Sequence, residues 1–353
     1  MNQSLRFDVN EMICFAKALC MAGGMAQAPA ADVASVLVEG DLLGHDTHGL
    51  QLLASYVGAV QAGTMLGAGD PQVLAERASV LTWDGRRLPG PYLVRRALAW
   101  AMPRAREHGT ATVVIRRSHH IGCLAAYLEA PARQGLLVSL QCSDPAMASV
   151  APFGGTSAVF TPNPMSWGIP TSADPIIIDV SSSITTNGMS ARLARSGARG
   201  DHAWWLGADG QVTDDPAVMQ ASPAGTILPL GGMDAGHKGY GLALQVEALT
   251  AGLAGHGRAD PNEGQGATVC LQVFDPDAFA GLPALQRQTD WLVSACHASV
   301  PVNPSRPVRL PGERGLARKQ AQLAGGLTLD PGIVGVLHDK AASLGLTLPR
   351  VLA

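Results

Sequence analysis

Residues 236–241 read Gly-His-Lys-Gly-Tyr-Gly and lead directly into the apolar run 242–253. The run predicts a helix, and the glycines would let a ligand or another backbone approach its first turn closely. Lysine is scarce, since only four of the 25 Lys and Arg residues are Lys, and Lys238 lies at this predicted helix start. Free N–H groups and a positive charge suit an anionic ligand. A glycine-rich loop with a surface lysine explains the stretch equally well, so the rest of the chain has to decide.

The composition is that of a globular protein with room for two domains. Of 353 residues, 47% are hydrophobic and 15% charged. The net charge of −3 comes without a basic run, which argues against a nucleic-acid partner. Residues 1–10 lack a secretion signal, and no apolar stretch reaches membrane-spanning length, so no membrane partner is expected. Six scattered cysteines without a C-x-x-C pair indicate thiols in a reducing cytoplasm.

Both ends of the chain show helical periodicity. Residues 10–62 are predicted to be helical, with Asp32 capping a second helix that ends near Gly44. Residues 312–344 carry two more helices, the second introduced by Asp330-Pro331. We expect these two ends to fold together as one discontinuous helical domain.

The middle of the chain alternates strands with helices, which is typical of an α/β domain. β-branched and apolar runs predict strands at 80–83, 112–115, 136–142, 176–178 and 269–274, with helices between them at 92–108, 123–134, after 241 and at 285–297. No strand precedes a G-x-G-x-x-G motif, so a bound nucleotide would not use the common doubly wound fingerprint. The predicted domains are 1–75 with 305–353 (helical) and 76–304 (α/β).

Three motifs carry candidate chemistry. Residues 44–49, Gly-His-Asp-Thr-His-Gly, offer imidazoles that could transfer protons or ligate metal, although no Cys or Glu joins them locally. Residues 118–122, Ser-His-His-Ile-Gly, follow a strand, where α/β active sites gather, and only one of the adjacent histidines is expected to face a site. Asp179 ends an apolar strand and could orient a His or bind a ribose hydroxyl. Helix caps, turns and surface histidines would explain each motif separately.

Taken in order, the motifs resemble one family. Between about Asp41 and Arg314 the chain shows G-H-D-T-H-G, S-H-H-I-G, P-F-G-G, N-P, D-V-S-S-S, W-W-L-G-A-D-G, G-H-K-G-Y-G-L and L-P-G-E-R. This series resembles the malate/L-lactate dehydrogenase family, which includes ureidoglycolate, sulfolactate and diketogulonate dehydrogenases and piperideine-2-carboxylate reductases. The resemblance implies a non-Rossmann, sulfolactate-dehydrogenase-like α/β fold, a mixed sheet flanked by helices. It further implies a homodimer that uses NAD or NADP to act on a small 2-hydroxy acid, 2-oxo acid or cyclic imino acid.

The resemblance also assigns roles to single residues. His120 is expected to accept and donate the substrate proton, with His48 and Asp179 as further catalytic residues. The substrate would contact His48, Asn163 and Thr47, the last standing where the family usually has Ser. The cofactor would contact eight residues: Ser143, Asp179, Ser181, Lys238, Gly239, Pro311, Gly312 and Glu313. No metal site is expected.

The chain departs from the family pattern mainly on the substrate side. Leu52 occupies the position of an Arg that grips the substrate carboxylate, and Leu cannot replace that clamp. Pro162 disrupts the usual G-T-N-P, and Met189 stands where a Lys is expected. Either the substrate differs from a simple 2-oxo acid, or another arginine supplies the charge. The candidates are Arg86, Arg87, Arg192 and Arg195.

Two other function classes stay open at this stage. A binding protein that keeps the fold without turnover would explain the changes at Leu52, Pro162 and Met189. A metal-dependent hydrolase would use several of the histidines, although no carboxylate–histidine spacing on a helix supports it. Its ligands would be His45, His48, His119 and His120.

Overall fold

The computed structural model describes residues 5–261, 264 and 266–352. Its α-helices are α1 (Val9–Ala22), α2 (Gln27–Leu43), α3 (Leu53–Gln61), α4 (Gly90–His108), α5 (Glu129–Arg133), α6 (Asn187–Ser196), α7 (Gly232–Glu247), α8 (Leu282–His297), α9 (Glu313–Gly325) and α10 (Pro331–Ala342). Its strands are β1 (Leu5–Phe7), β2 (Gln72–Arg77), β3 (Val80–Asp84), β4 (Thr110–Ser118), β5 (Leu137–Ser143), β6 (Pro164–Ile169), β7 (Ile176–Ser181), β8 (Trp205–Leu206), β9 (Val212–Thr213), β10 (Thr226–Ile227), β11 (Ala267–Phe274) and β12 (Leu327–Leu329). No helix in this described part combines the length and apolarity that a bilayer crossing requires.

The centre of the fold is a seven-stranded mixed sheet in the order β2-β3-β4-β11-β5-β6-β7. Only β3 and β4 pair in parallel, and the other neighbours are antiparallel. Apolar side chains of the inner strands, among them Val113, Leu140 and Leu271, are fully buried in one core with Leu93 of α4. This mixed sheet with flanking helices confirms the predicted α/β class, and β7 is left as an edge strand.

The two chain ends share a second core. Met12 of α1, Leu37 of α2, Tyr56 of α3 and Leu337 of α10 belong to one buried cluster. β1 pairs antiparallel with β12, so that Leu5 faces Leu329. The sequence did not predict this two-stranded sheet, because three-residue strands are too short to show a period of two. On the strength of the shared core we propose that residues 1–75 and 305–353 form one domain against 76–304.

The helix boundaries confirm two predicted caps and correct a third. Gly44 ends α2 in the left-handed region with φ of 89°, and the Asp330 side chain accepts the N–H of Gly332 at the start of α10. The predicted cap at Asp32 is wrong, because α2 begins five residues earlier at Gln27. The Asp32 carboxylate instead pairs with Arg95 Nε of α4 at 3.2 Å.

The helix predicted to start at residues 236–241 begins earlier. Gly231 and Gly232 both have positive φ and start α7, so Lys238 lies in its second turn and away from the free N–H groups. The predicted start of the helix is therefore wrong, but another part of the backbone does approach the helix closely at one of these glycines. A Cβ on Gly239 would lie 2.4 Å from the N of Leu230 and 2.6 Å from the O of Ser182. Glycine at this position lets α7 pack directly against the end of β7.

Candidate active site

Two histidines from the predicted motifs stack on each other. His48 lies in the turn between α2 and α3, and His120 lies in the loop after β4; their ring centroids are 5.7 Å apart and the planes differ by 21°. The turn that carries His48 is fixed to α2, since the N–H of Leu50 donates to Asp41 Oδ2 at 2.7 Å. A Cβ at Gly90 would lie 2.4 Å from the His120 carbonyl oxygen. Only glycine therefore allows the start of α4 to pack against the loop that carries His120.

Tyr56 of α3 fixes the ring of His120. Its hydroxyl lies 2.8 Å from both the carbonyl oxygen and Nδ1 of His120, and the N–H of Gly122 lies 3.1 Å from the same Nδ1. When the Tyr56 hydroxyl donates to the carbonyl, its oxygen can accept Nδ1–H, which leaves a lone pair on Nε2. When Nδ1 accepts the Gly122 N–H instead, Nε2 carries the proton. The surroundings therefore support both neutral tautomers of His120.

Burial keeps the stacked pair neutral. It lowers the pKa of His120 to about 3, helped by the proximity of His48 and His119. Burial also lowers the pKa of His48, and the negative charge of Asp179 partly offsets this. Because both pKa values lie below the usual range, the two imidazoles are uncharged at neutral pH and available as proton acceptors.

His119 turns away from the pair, as expected for adjacent histidines. Its ring meets the edge of Tyr56 with centroids 5.7 Å apart. Burial, and to a smaller extent Arg87, lower the pKa of His119 to about 4. Its Nδ1 is buried and has no hydrogen-bond partner among the described residues. His119 is therefore a packed neutral histidine behind Tyr56.

Asp179 lies on the same side of the site as His48. One carboxylate oxygen, Oδ2, accepts the N–H of Ala125 at 2.9 Å and lies 3.7 Å from Cys123 Sγ. The carboxylate is close enough to His48 to favour its protonated form. Asp179 thus combines a fixed orientation with a charge that acts on His48.

His45, Cys123 and Asp179 form the one group of potential metal ligands found in the described part of the chain. One donor atom from each lies within 4.8 Å of the other two. Histidine nitrogen, thiolate and carboxylate would suit zinc. However, the thiol hydrogen-bonds to Asp179, and burial and that charge raise the pKa of Cys123 well above its usual value. A metal bound there would displace this proton, as at any thiolate ligand, and without a metal the Cys123 thiol and Asp179 are joined by a hydrogen bond.

The expected cofactor residues follow one face of the edge strand β7. Alternation places Ile177, Asp179 and Ser181 on the same face. Pro311 accepts the Ile177 N–H at 3.2 Å, and a Cβ on Gly312 would lie 2.7 Å from the Cβ of Ile177. At the other end of the strand, the Ser181 hydroxyl donates to the Ser183 carbonyl at 2.8 Å. The predicted late loop therefore packs against the start of β7, and Ser181 lies at the opposite end of the strand.

The outer parts of this region remain accessible. Lys238 is exposed, and no ion pair joins it to another described residue. Glu313 pairs with His297 Nε2 at 2.6 Å and, beside Pro311, lines a cavity of about 330 Å³ that also includes Ile176. Asp179, Ser181 and, beside Gly239, Lys238 lie toward the other end of β7. A carboxylate, a hydroxyl and a lysine suit ribose and phosphate groups, so the residues present fit NAD or NADP.

Ser143 and Asn163 lie inside the protein. Asn163 is 0% exposed and donates to Glu247 Oε1 at 3.0 Å, and the Ser143 hydroxyl donates to the same oxygen at 2.7 Å. Arg258 Nε completes the group with a 2.9 Å contact to Glu247. These side chains tie β5 and β6 to α7, and the structure does not bring them into contact with His48 or His120.

Thr47 connects the histidine pair to α6. Its hydroxyl lies 2.9 Å from His48 Nδ1, and a Cβ added to Gly188 would lie 3.5 Å from the Thr47 Cβ.

Tyr56, Cys123 and Gly188 were not predicted as site residues. Tyr56 is 64 residues from His120 and shows only the spacing of a buried helix face, so no local signal could have found it.

Comparison with known proteins identifies the family. The model of the malate/L-lactate dehydrogenase family matches residues 7–338. The chain belongs to this family. An L-lactate dehydrogenase of Cupriavidus necator is 31% identical over 328 residues, covering 90% of this chain and 92% of that protein. The structure of a putative malate/lactate dehydrogenase from E. coli superposes with a TM-score of 0.87 at 29% identity, covering 97% of this chain and 96% of that one.

The cofactor class follows from the family. A (2R)-3-sulfolactate dehydrogenase (NADP(+)) of Chromohalobacter salexigens is 34% identical over 254 residues, covering 71% of this chain and 73% of that protein. The present protein is therefore a nicotinamide-dependent oxidoreductase, and its cofactor is NAD or NADP. The expected family, fold and cofactor class are thereby confirmed.

Proposed function

We propose that this dehydrogenase interconverts a small 2-hydroxy acid and its 2-oxo acid, or reduces a cyclic imino acid, with His120 as the proton acceptor and donor. The single observation that carries the proposal is the stacking of His48 on a His120 ring whose Nδ1 lies 2.8 Å from the Tyr56 hydroxyl. The nicotinamide supplies or takes the hydride when it is bound. The protein has to position the substrate and move one proton.

His120 is prepared for the oxidising direction. At neutral pH its imidazole is uncharged, so Nε2 accepts the hydroxyl proton while Nδ1–H is held by the Tyr56 oxygen. In the reducing direction, the imidazolium would return that proton to the carbonyl or imine. We propose that His48 and Thr47 line the substrate, since His48 stacks on the His120 ring and the Thr47 hydroxyl lies 2.9 Å from His48 Nδ1. We also propose that Asp179 stabilises the charge that forms on the pair.

We propose cofactor contacts at Asp179, Ser181, Lys238 and Gly239 and along residues 311–313. Their common relation to β7 supports this placement. Ser143 was expected to contact the cofactor and Asn163 the substrate. For both, burial and their bonds to Glu247 favour a supporting role: they would hold the strand ends that carry the contacts. Alanine at Asn163 should accordingly lower stability more than it changes any Michaelis constant.

The test is a panel of 2-hydroxy and 2-oxo acids, including lactate, malate and sulfolactate, together with piperideine-2-carboxylate, assayed by nicotinamide absorbance with both cofactors. We expect turnover that His120→Ala abolishes while cofactor binding, followed by fluorescence, is retained. His338→Ala, a change at an exposed histidine, is the matched control. Turnover that survives in His120→Ala, or the absence of binding by both NADH and NADPH, would contradict the proposal.

We also propose a cytoplasmic homodimer. All six cysteines are unpaired, and four of them are buried, which fits a reducing compartment. Met233 and Leu244 of α7 and Leu253 beyond it are large apolar side chains with 53%, 47% and 57% exposure. A second copy of the chain would cover such side chains. Sedimentation equilibrium at micromolar concentration should give twice the monomer mass of 36.5 kDa.

A further inference from the structure

The substrate side of the site lacks the cation expected at position 52. Leu52 is packed against the apolar core of the terminal helices. Met189, at the position expected to be Lys, lies in the first turn of α6 and is also uncharged. A 2-oxo acid would still need a positive group for its carboxylate, because burying an unpaired carboxylate is costly. The fold therefore has to provide this charge from another position.

Helix α6 presents two opposite faces. On one face, the Ser190 hydroxyl accepts Trp205 Nε1–H at 3.0 Å, and Leu193 packs into a small core with Trp205. The other face carries Gly188, whose added Cβ would touch Thr47. At about 100° per residue, position 192 lies only about 40° around the axis from Gly188. Arg192 therefore projects from the face of α6 that meets the turn carrying Thr47 and His48.

Arg192 is a suitable cation at this place. Its Nη2 lies 3.3 Å from Met189 Sδ, so the guanidinium extends back along the helix toward the turn that contacts Thr47. The side chain is exposed, and it forms no ion pair with any residue that the structure describes. A guanidinium with free donors can hold a carboxylate through two parallel hydrogen bonds.

The other candidate arginines are placed less favourably. Arg87 already has an interaction partner and acts electrostatically on His119, which faces away from the pair. Arg86 is exposed in the turn after β3 and has a positive φ of 52°. Arg195 shares the α6 face with Arg192 but lies about one turn farther from Thr47. Position and availability together single out Arg192.

We propose that Arg192 binds the carboxylate of the substrate and replaces the clamp that Leu52 has lost. This inference rests on the proposed function, since it concerns the same substrate at the same site. It defines the substrate class more narrowly as an anionic 2-oxo or 2-hydroxy compound whose acid group points toward α6. Arg192 would thus determine specificity without taking part in proton transfer.

The experiment compares Arg192→Met with Arg195→Met, which removes the same charge from the same face of the helix. For the best 2-oxo acid, Arg192→Met should raise KM roughly 10- to 100-fold, with Arg192→Lys in between and Arg195→Met close to wild type. The KM for the neutral amide of that acid should not change in Arg192→Met, and neither should affinity for the reduced cofactor. Calorimetric titration with oxamate, an unreactive carboxylate mimic, should show the same loss of affinity.

An unchanged KM and unchanged oxamate affinity in Arg192→Met would overturn the inference, as would a larger effect of Arg195→Met. Failure of the proposed function looks different, because the wild-type enzyme would then turn over no 2-oxo acid. Oxamate binding still decides the role of Arg192 in that case. Weaker binding by Arg192→Met than by the wild type and Arg195→Met would support it, and equal or absent binding in all three would reject it.

Discussion

Protonation of His119 should cost the folded protein stability as the pH falls. Burial lowers the pKa of this histidine to about 4, against an ordinary value of 6.5. The unfolded chain therefore takes up the proton first. The stability that neutral His119 contributes is fully present above pH 6.5 and is lost progressively as the pH falls toward 4.

The expected size of the effect follows from the two pKa values. Between pH 7 and pH 5, a group that shifts from 6.5 to about 4 removes roughly 2 kcal/mol from the free energy of unfolding. Asp41 acts in the opposite sense, because burial raises its pKa to about 8 and the folded state then retains a proton that the unfolded chain releases. The total slope mixes these groups, whereas the difference between two variants isolates one of them.

The assay is urea unfolding of the wild type and His119→Asn at pH 7 and pH 5. The variant should be less stable at pH 7, since it loses the edge contact with Tyr56. Between the two pH values it should lose about 2 kcal/mol less than the wild type. His338→Asn, at a histidine whose side chain is 67% exposed, should follow the wild type. Equal losses in the wild type and His119→Asn would refute the reasoning.

Three further predictions concern separate parts of the molecule. Tyr56→Phe should lower kcat roughly 10- to 100-fold without changing cofactor affinity, because the hydroxyl positions His120 but lies behind it; stopped-flow and fluorescence titration measure the two effects. Asp84→Asn should lower the free energy of unfolding by about 3 kcal/mol, since Asp84 is 1% exposed and pairs with Arg116 at 3.0 Å; urea unfolding tests this, and unchanged stability would contradict it. Lys238→Ala should weaken NADH or NADPH binding more than it alters substrate preference, and unchanged cofactor affinity would remove Lys238 from the site.

The sequence predicted the elements that are long enough to show a period. β4, β5 and β11 lie close to the predicted ranges, since each is an apolar run that is largely buried. Most of α8 also lies within its predicted range, although Thr289 is its one buried residue. The start of α7 was misplaced because Gly236 and Gly239 look like a loop and are in fact close-packing positions inside a helix. Asp32 failed as a cap for a related reason: an acidic residue before an apolar run is also compatible with a helix interior that faces a neighbouring arginine.

The site was predictable only as far as ordered motifs reach. The family resemblance predicts one site for His48, His120 and Asp179; in the structure His48 stacks on His120, and the charge of Asp179 acts on His48. Chain order says nothing about which side chains fill the space between motifs. The packing of α3 places the Tyr56 hydroxyl beside His120, and a hydrogen bond to Glu247 holds Asn163 in the interior. Both outcomes depend on tertiary contacts that no local pattern encodes.

The two halves of the site follow from different structural constraints. Position 52 ends the short turn that leads into α3, and a leucine there packs against the helical core where the family pattern has a charged group. Position 192 lies on a helix whose inner face is already anchored through Ser190 and Trp205, so its outer face is free to carry charge. Moving the cation from one position to the other leaves His120 and β7 untouched. On the proposal that Arg192 binds the substrate carboxylate, substrate selection can change in this fold while the residues proposed for proton transfer and cofactor binding keep their places.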